Sequence, residues 1–167
     1  MQTGRPGPSE LWIIGYGNPQ RRDDGIGPYV VARLNEILRD RKEFHFRILY
    51  QLEPALLEEL RDARLIVLVD ATINELEDGW GWVRIRPESG VIPHLTHHFS
   101  PSFLLGLLDS VYHRSPQTWL ASVQGNDFGF GEGLTEEAEM RAEKAVSGIV
   151  KLFETKGIDK TDESVKL

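Results

Sequence analysis

Three short stretches of the sequence carry side chains that could bind a metal ion or activate water. They are Asp23 and Asp24 in the segment GYGNPQRRDDGIGP, Asp70 directly after an apolar run, and His97 and His98 just before a Ser-Pro pair. Carboxylate oxygens and imidazole nitrogens together suit divalent transition metals such as Zn²⁺ or Ni²⁺. Three such ligands leave one coordination position open, where the metal polarises a carbonyl group or activates bound water.

Each of these residues also has an ordinary structural interpretation. Adjacent aspartates often cap a helix or face solvent, and an aspartate after a strand often forms a turn. A single histidine is more often a surface or core residue than a ligand. The glycines that follow the first apolar run fit a strand-to-helix turn. For Asp23 and Asp24 taken alone, this structural interpretation is favoured.

The elements that must position these residues follow from the hydrophobic pattern. It predicts strands at 11–15, 44–50, 65–69, 81–86 and 118–123, and helices at 26–41, 54–60, 100–112 and from Thr135 to about 155. The alternation predicts one α/β domain with helices on both faces of a mainly parallel sheet. Because ligands bind beyond the carboxyl ends of parallel strands, all three stretches are expected to meet at that edge.

The domain organisation is predicted to be simple. Residues 1–9 are expected to be a flexible leader, 10–155 a single α/β domain, and 156–167 a disordered polar tail. A glycine-rich loop at 126–134 joins the last strand to the last helix. The strand at 81–86 alternates and is expected at an edge. Trp80 and Trp82 lie at the start of this strand, and for them packing within an amphipathic edge strand is favoured over contact with a partner protein.

Composition excludes several function classes. The net charge is −7, with no extended basic cluster, so a nucleic-acid partner is not expected. The sequence has no cysteine, no apolar run near the ~20 residues of a membrane span, and no apolar signal segment near Met1, which together predict a cytoplasmic protein without a membrane partner. A dinucleotide fingerprint requires a third glycine where Gln20 stands, and Asp23 and Asp24 would repel a phosphate.

Four segments of the chain resemble, in order, the maturation proteases of nickel–iron hydrogenases. These segments are GYGNPQRRDDGIGPYVVARL, YQLEPALLEELRDARLIVLVDA, THHFSPSFLLGLLDSVY and GEGLTEEAE. The resemblance spans roughly residues 11–152, and its most specific part is Gly-x-Gly-Asn followed by Asp-Asp-Gly-x-Gly. It implies a three-layer α/β/α sandwich with a mainly parallel, twisted, five-stranded sheet.

The resemblance also implies an activity and a site. The expected enzyme is a metal-dependent endopeptidase that removes the C-terminal extension of a hydrogenase large-subunit precursor after nickel insertion. Asp24 and Asp70 would be catalytic and would bind the metal together with His97, with His98 as the second candidate. The nickel is expected to come with the precursor, and another divalent metal is expected to replace it in vitro. Asp23 is a weaker candidate for a supporting or base role.

Two other functions use the same residues. A non-cleaving chaperone that checks nickel on the hydrogenase large subunit is the principal alternative, and a metal hydrolase of small molecules is another. Recovery of a released peptide would distinguish the first from a protease, and tight metal binding by the isolated protein would indicate the second. The free protein is expected to be a monomer.

Overall fold

The computed structural model describes residues 10–88 and 99–155, whose strands form one sheet in the order β2-β1-β3-β5-β4. The strands are β1 (Glu10–Tyr16), β2 (Phe44–Leu49), β3 (Ala63–Thr72), β4 (Trp80–Ile85) and β5 (Gln117–Gln124). β1, β2, β3 and β5 are parallel, whereas β4 pairs with β5 in the antiparallel sense. The mainly parallel five-stranded sheet and its edge strand are therefore confirmed.

Four α-helices cover the two faces of this sheet. They are α1 (Ile26–Leu38), α2 (Leu56–Glu59), α3 (Pro101–Tyr112) and α4 (Glu136–Thr155). The side chains of β3 alternate between two apolar clusters, because successive strand residues point to opposite faces. Leu65, Val67 and Val69 pack with residues of α1 and α4, while Ile66 and Leu68 pack with residues of α2 and α3. This arrangement confirms the three-layer sandwich.

The start of α3 confirms the predicted capping signal. The Ser100 hydroxyl accepts a hydrogen bond from the Phe103 amide at 3.1 Å, and Pro101 occupies the first turn. The predicted end of the first helix near Arg41 is wrong, because α1 ends at Leu38. Residues 39–42 are exposed and offer no apolar side chain to bury, and the Arg41 amide closes a turn on the Leu38 carbonyl instead.

The predicted extent of the central strand also needs correction. β3 runs to Thr72, beyond the predicted end at 69, because β5 continues beside it and pairs with Asp70, Ala71 and Thr72. The pairing of β3 with β1 does end at Val69. Asp70 is therefore the first residue of β3 that no longer pairs with β1, and it lies level with Tyr16, the last residue of that strand.

Trp80 and Trp82 on β4 serve packing, as favoured from the sequence. Both lie against the cluster on the α1 and α4 face, and Trp82 stacks on Trp119 with 5.4 Å between ring centroids. Within the described ranges, no helix is both long enough and apolar enough to cross a membrane. The predicted leader (1–9) and tail (156–167) lie outside these ranges, so the domain limits stay predictions.

Candidate active site

The first loop of the site, residues 17–25, connects β1 to α1 and carries Asp24. It contains a single 3-10 turn, Arg22–Gly25, which the sequence did not predict. Gly17 has φ +143°, and a Cβ there would lie 1.9 Å from the backbone oxygen of Asp24. Only glycine fits such an approach, so the second glycine of the Gly-x-Gly-Asn motif allows the loop to fold back onto Asp24.

Asn18 fixes the Asp24 carboxylate within the same loop. Its backbone amide donates to Oδ2 of Asp24 at 2.8 Å, while its side-chain oxygen accepts from the Gln20 amide at 2.9 Å. The Asp24 amide donates to the Arg21 carbonyl at 3.0 Å. The motif therefore sets the orientation of Asp24, whose side chain remains half-buried at the carboxyl edge of the sheet.

Asp70 lies on the face of the sheet that α2 and α3 cover. It continues the alternation of Ile66 and Leu68 on β3, and Tyr16 belongs to the same face. The Tyr16 phenol donates a hydrogen bond to the Asp70 carboxylate. Tyr16 was not a candidate from the sequence; its only signal was its position two residues after the buried Ile14, on the same face of β1.

Asp24 and Asp70 are brought together, as the sequence predicts. Burial raises the pKa of Asp70 from 3.8 to about 6; hydrogen bonds from the Ala71 amide and Tyr16 oppose this shift, and the negative charge of Asp24 adds to it. Burial and the Asp70 carboxylate raise the pKa of Tyr16, which keeps the phenol protonated as a donor. The two negative charges repel each other, and a divalent cation bound by both carboxylates would remove that repulsion.

The predicted histidine ligands cannot be placed against this pair. His97 and His98 lie outside residues 10–88 and 99–155, so the choice between them stays a prediction. Within those residues, no group of three or more His, Cys, Asp or Glu side chains is arranged to bind a metal ion. Phe99, the residue that follows His98, packs with the cluster on the Tyr16 and Asp70 face.

Asp23 faces away from Asp70's cluster and into the protein, where it is fully buried. Its carboxylate accepts hydrogen bonds from Asn126, Asp127 and Thr135, at the two ends of the glycine-rich loop (126–134). The sequence indicated both the aspartate and the loop but not their contact, because more than one hundred residues separate them.

Solved structures with the same fold are hydrogenase maturation proteases. The NiFe hydrogenase maturation protease HycI from Thermococcus kodakarensis KOD1 superposes with a TM-score of 0.65 and 22% identity, over 89% of this chain and 95% of that one. The hydrogenase maturating endopeptidase HybD from E. coli gives 0.64 and 18%, over 89% and 94%. The hydrogenase 2 maturation peptidase from Thaumarchaeota archaeon SCGC_AB-539-E09 gives 0.61 and 16%, over 87% and 99%.

No protein-family model and no curated protein matches the sequence. The structural likeness nevertheless covers nearly all of the described chain and nearly all of each neighbour. It agrees with the resemblance carried by the four sequence segments. This chain therefore has the three-layer α/β/α fold of the hydrogenase maturation proteases, as its motifs predict.

Proposed function

We propose that this chain is an endopeptidase that removes the C-terminal extension of a nickel–iron hydrogenase large-subunit precursor after nickel insertion. The observation that carries the proposal is the proximity of the Asp24 and Asp70 carboxylates at the carboxyl edge of the sheet. The fold shared with hydrogenase maturation proteases supports the reaction class. The expected partner is the precursor, and the expected metal is the nickel that the precursor carries.

In this proposal the two carboxylates recognise the nickel of the bound precursor. Asp24 is oriented by the Asn18 amide, and Asp70 by the Tyr16 phenol, so both present oxygen atoms without rearrangement. His97 or His98 supplies the imidazole ligand. Binding of the metal by these residues places the scissile peptide bond beside them, and only a precursor that contains nickel is positioned for cleavage.

The reaction itself is hydrolysis of one peptide bond. A water molecule adds to the scissile carbonyl carbon, and a carboxylate takes a proton from the water and passes it to the leaving nitrogen. The C–N bond then breaks, which releases the C-terminal peptide with a new amino terminus and leaves a new carboxylate on the large subunit. Asp70 suits the proton transfer, because burial raises its pKa to about 6, close to neutral pH.

The test is to mix the protein with a nickel-loaded precursor and, separately, with a nickel-free one, and to measure intact masses. We expect loss of a C-terminal peptide only from the nickel-loaded precursor. Asp24→Asn and Asp70→Asn are each expected to reduce the rate by about 100-fold or more, as removal of a catalytic group commonly does. Asp40→Asn, an exposed aspartate just before β2 at the opposite edge of the sheet, serves as the matched control and should leave the rate unchanged.

The alternative functions predict different outcomes of the same experiment. Stable binding of the nickel-loaded precursor without any mass change would indicate a non-cleaving chaperone. Tight nickel binding by the isolated protein, with no effect on a precursor, would indicate a hydrolase of small molecules. Normal cleavage by the Asp24→Asn and Asp70→Asn variants would contradict the proposed site.

A further inference from the structure

The carboxylate of Asp23 accepts four hydrogen bonds from the protein. Oδ1 accepts from the Thr135 amide at 2.7 Å. Oδ2 accepts from the amides of Asn126 and Asp127 at 2.7 and 2.9 Å, and from the Thr135 hydroxyl at 2.8 Å. Both oxygens are thus held by the protein, and the residue is fully buried, so water and substrate do not reach the carboxylate. Asp23 is therefore unsuited to act as a base.

Hydrogen bonds on either side of Asp23 join the same two loops. The Asp23 amide donates to the Asp127 carbonyl at 2.9 Å, and the Arg22 amide donates to the Gly131 carbonyl at 3.0 Å. The Gly131 amide donates in return to the Gln20 carbonyl at 2.9 Å. The first loop (17–25) thus lies along the glycine-rich loop (126–134) like a short pair of strands, and the Asp23 carboxylate binds both ends of the latter.

Arg22 indicates that the first loop depends on these contacts. Its φ is 44°, a left-handed conformation that residues other than glycine rarely adopt. Its amide donates to Gly131, and its guanidinium forms an ion pair with Asp127 at 3.3 Å. A backbone conformation that is unfavourable by itself persists only where its surroundings fix it.

We infer that Asp23 is a positioning residue: through the glycine-rich loop it fixes the 3-10 turn that directs Asp24 toward Asp70. The inference adds to the proposed function and rests on it only in giving Asp24 a catalytic role. Asp24 directly follows Asp23 within the turn Arg22–Gly25, so movement of the turn moves the carboxylate that faces Asp70. Asp23 itself is fully buried.

The test uses Asp23→Asn together with a pair of variants at Thr135. Asparagine has one acceptor oxygen in place of two, so it must lose at least one of the four hydrogen bonds. Thr135→Val removes the hydroxyl that donates to Oδ2 and that also accepts from the Ala138 amide at the start of α4, whereas Thr135→Ser retains both contacts. Glu143→Gln is the control for general destabilisation, because it weakens hydrogen bonds from Tyr29 and Arg33 between α1 and α4.

Two measurements are made on variants that unfold cooperatively. For cleavage of the nickel-loaded precursor, we expect kcat to fall about 10- to 100-fold in Asp23→Asn, with a smaller fall in Thr135→Val and little change in KM, because misplacement of a reacting group affects mainly the chemical step. Thr135→Ser and Glu143→Gln should retain the wild-type kcat. The second measurement is the side-chain carboxyl ¹³C resonance of Asp70 in the isolated protein at fixed pH.

The NMR measurement separates failure of this inference from failure of the proposed function. We expect the Asp70 resonance to move in Asp23→Asn and in Thr135→Val, but not in Thr135→Ser or Glu143→Gln. An unchanged Asp70 resonance in folded Thr135→Val and Asp23→Asn would overturn the positioning role, even if cleavage is observed. Movement of the resonance without any cleavage by the wild-type protein would retain the positioning role and overturn the protease.

Discussion

The phenol of Tyr16, the last residue of β1, donates a hydrogen bond to the carboxylate of Asp70, the first residue of β3 that no longer pairs with β1. Burial works against ionisation of Asp70, and this bond favours it. The Ala71 amide and the Tyr16 phenol together therefore make an ionised Asp70 tolerable at this position, and Tyr16 is the one of the two whose donor can be removed by substitution.

Replacement of Tyr16 by phenylalanine should destabilise the protein mainly when Asp70 is ionised. A hydrogen bond to a charged group contributes about 1.5–3 kcal/mol, so Tyr16→Phe should lower the free energy of unfolding by about that amount at pH 8. The loss should be smaller at pH 4.5, below the Asp70 pKa of about 6. Urea titrations at both pH values measure it.

Tyr112→Phe is the matched control for this experiment. The Tyr112 hydroxyl donates to Glu58 at 2.8 Å, but that contact is exposed, so its loss should change the stability little at either pH. Tyr16→Phe could instead lose the same stability at both pH values. That result would mean that the substitution acts through lost packing of the hydroxyl group and not through the lost hydrogen bond to an ionised Asp70.

Removal of the Asp70 charge should stabilise the metal-free protein. The folded-state pKa is raised from 3.8 to about 6, so between these pH values the native state binds more protons than the unfolded state. Stability therefore falls as pH rises through this window. Above it, Asp70→Asn should gain about 1–3 kcal/mol, since one pKa unit corresponds to about 1.4 kcal/mol.

The pH dependence of this gain is the decisive observation. Urea unfolding of the wild type and Asp70→Asn should give nearly equal free energies near pH 4 and separate progressively up to about pH 7. A constant difference at every pH would contradict ionisation as its cause. A stabilised but inactive variant is what is expected where a destabilising charge is retained for function.

Asp23 should respond to pH in the opposite direction. Burial alone would raise its pKa, but the hydrogen bonds from Thr135, Asn126 and Asp127 outweigh burial and hold the pKa below the usual 3.8. For an acid with a lowered pKa, the contribution to stability is present above the unfolded-state value and is lost as pH falls through the folded-state value.

Asp23→Asn is accordingly expected to lower the free energy of unfolding by about 2–4 kcal/mol at neutral pH, because buried donors lose a charged acceptor. The deficit should shrink as the wild type is acidified below about pH 4, near the ordinary pKa of an aspartate. Chemical denaturation of both proteins from pH 2.5 to pH 7 measures it. A deficit that grows on acidification would refute the assignment of a stabilising, ionised Asp23.

The sequence predicted the parts of the fold that depend on local pattern. The continuous apolar run at 65–69 indicated a central strand buried on both faces, and Asp70 after it indicated the edge where ligands bind. Ser100 and Pro101 indicated the start of α3, because a helix N-cap depends only on residues within the first turn of the helix.

The rest of the site depends on contacts between distant parts of the chain. The 3-10 turn at Arg22–Gly25 has no local signal, because its left-handed residue is fixed by Gly131 and Asp127. Three of the four donors to Asp23 are likewise backbone amides, which any residue except proline could supply. The continuation of β3 past Asp70 follows from pairing with β5, and this pairing is also invisible in the local sequence.

Gly27 is predicted to be essential for the packing of α1 against the sheet. A Cβ at this position would lie 2.4 Å from the Tyr16 carbonyl oxygen and 2.6 Å from that of Val69, and backbone atoms cannot give way as a flexible side chain would. Gly27→Ala must push α1 away from the sheet and should cost about 3 kcal/mol or more. Gly81→Ala is the control, since its Cβ would meet only Leu76 at an ordinary 3.8 Å. Urea unfolding compares the two. Equal stability would mean that α1 can move outward at little cost, and the Asp24–Asp70 relationship would then not depend on close packing of α1 against β1 and β3.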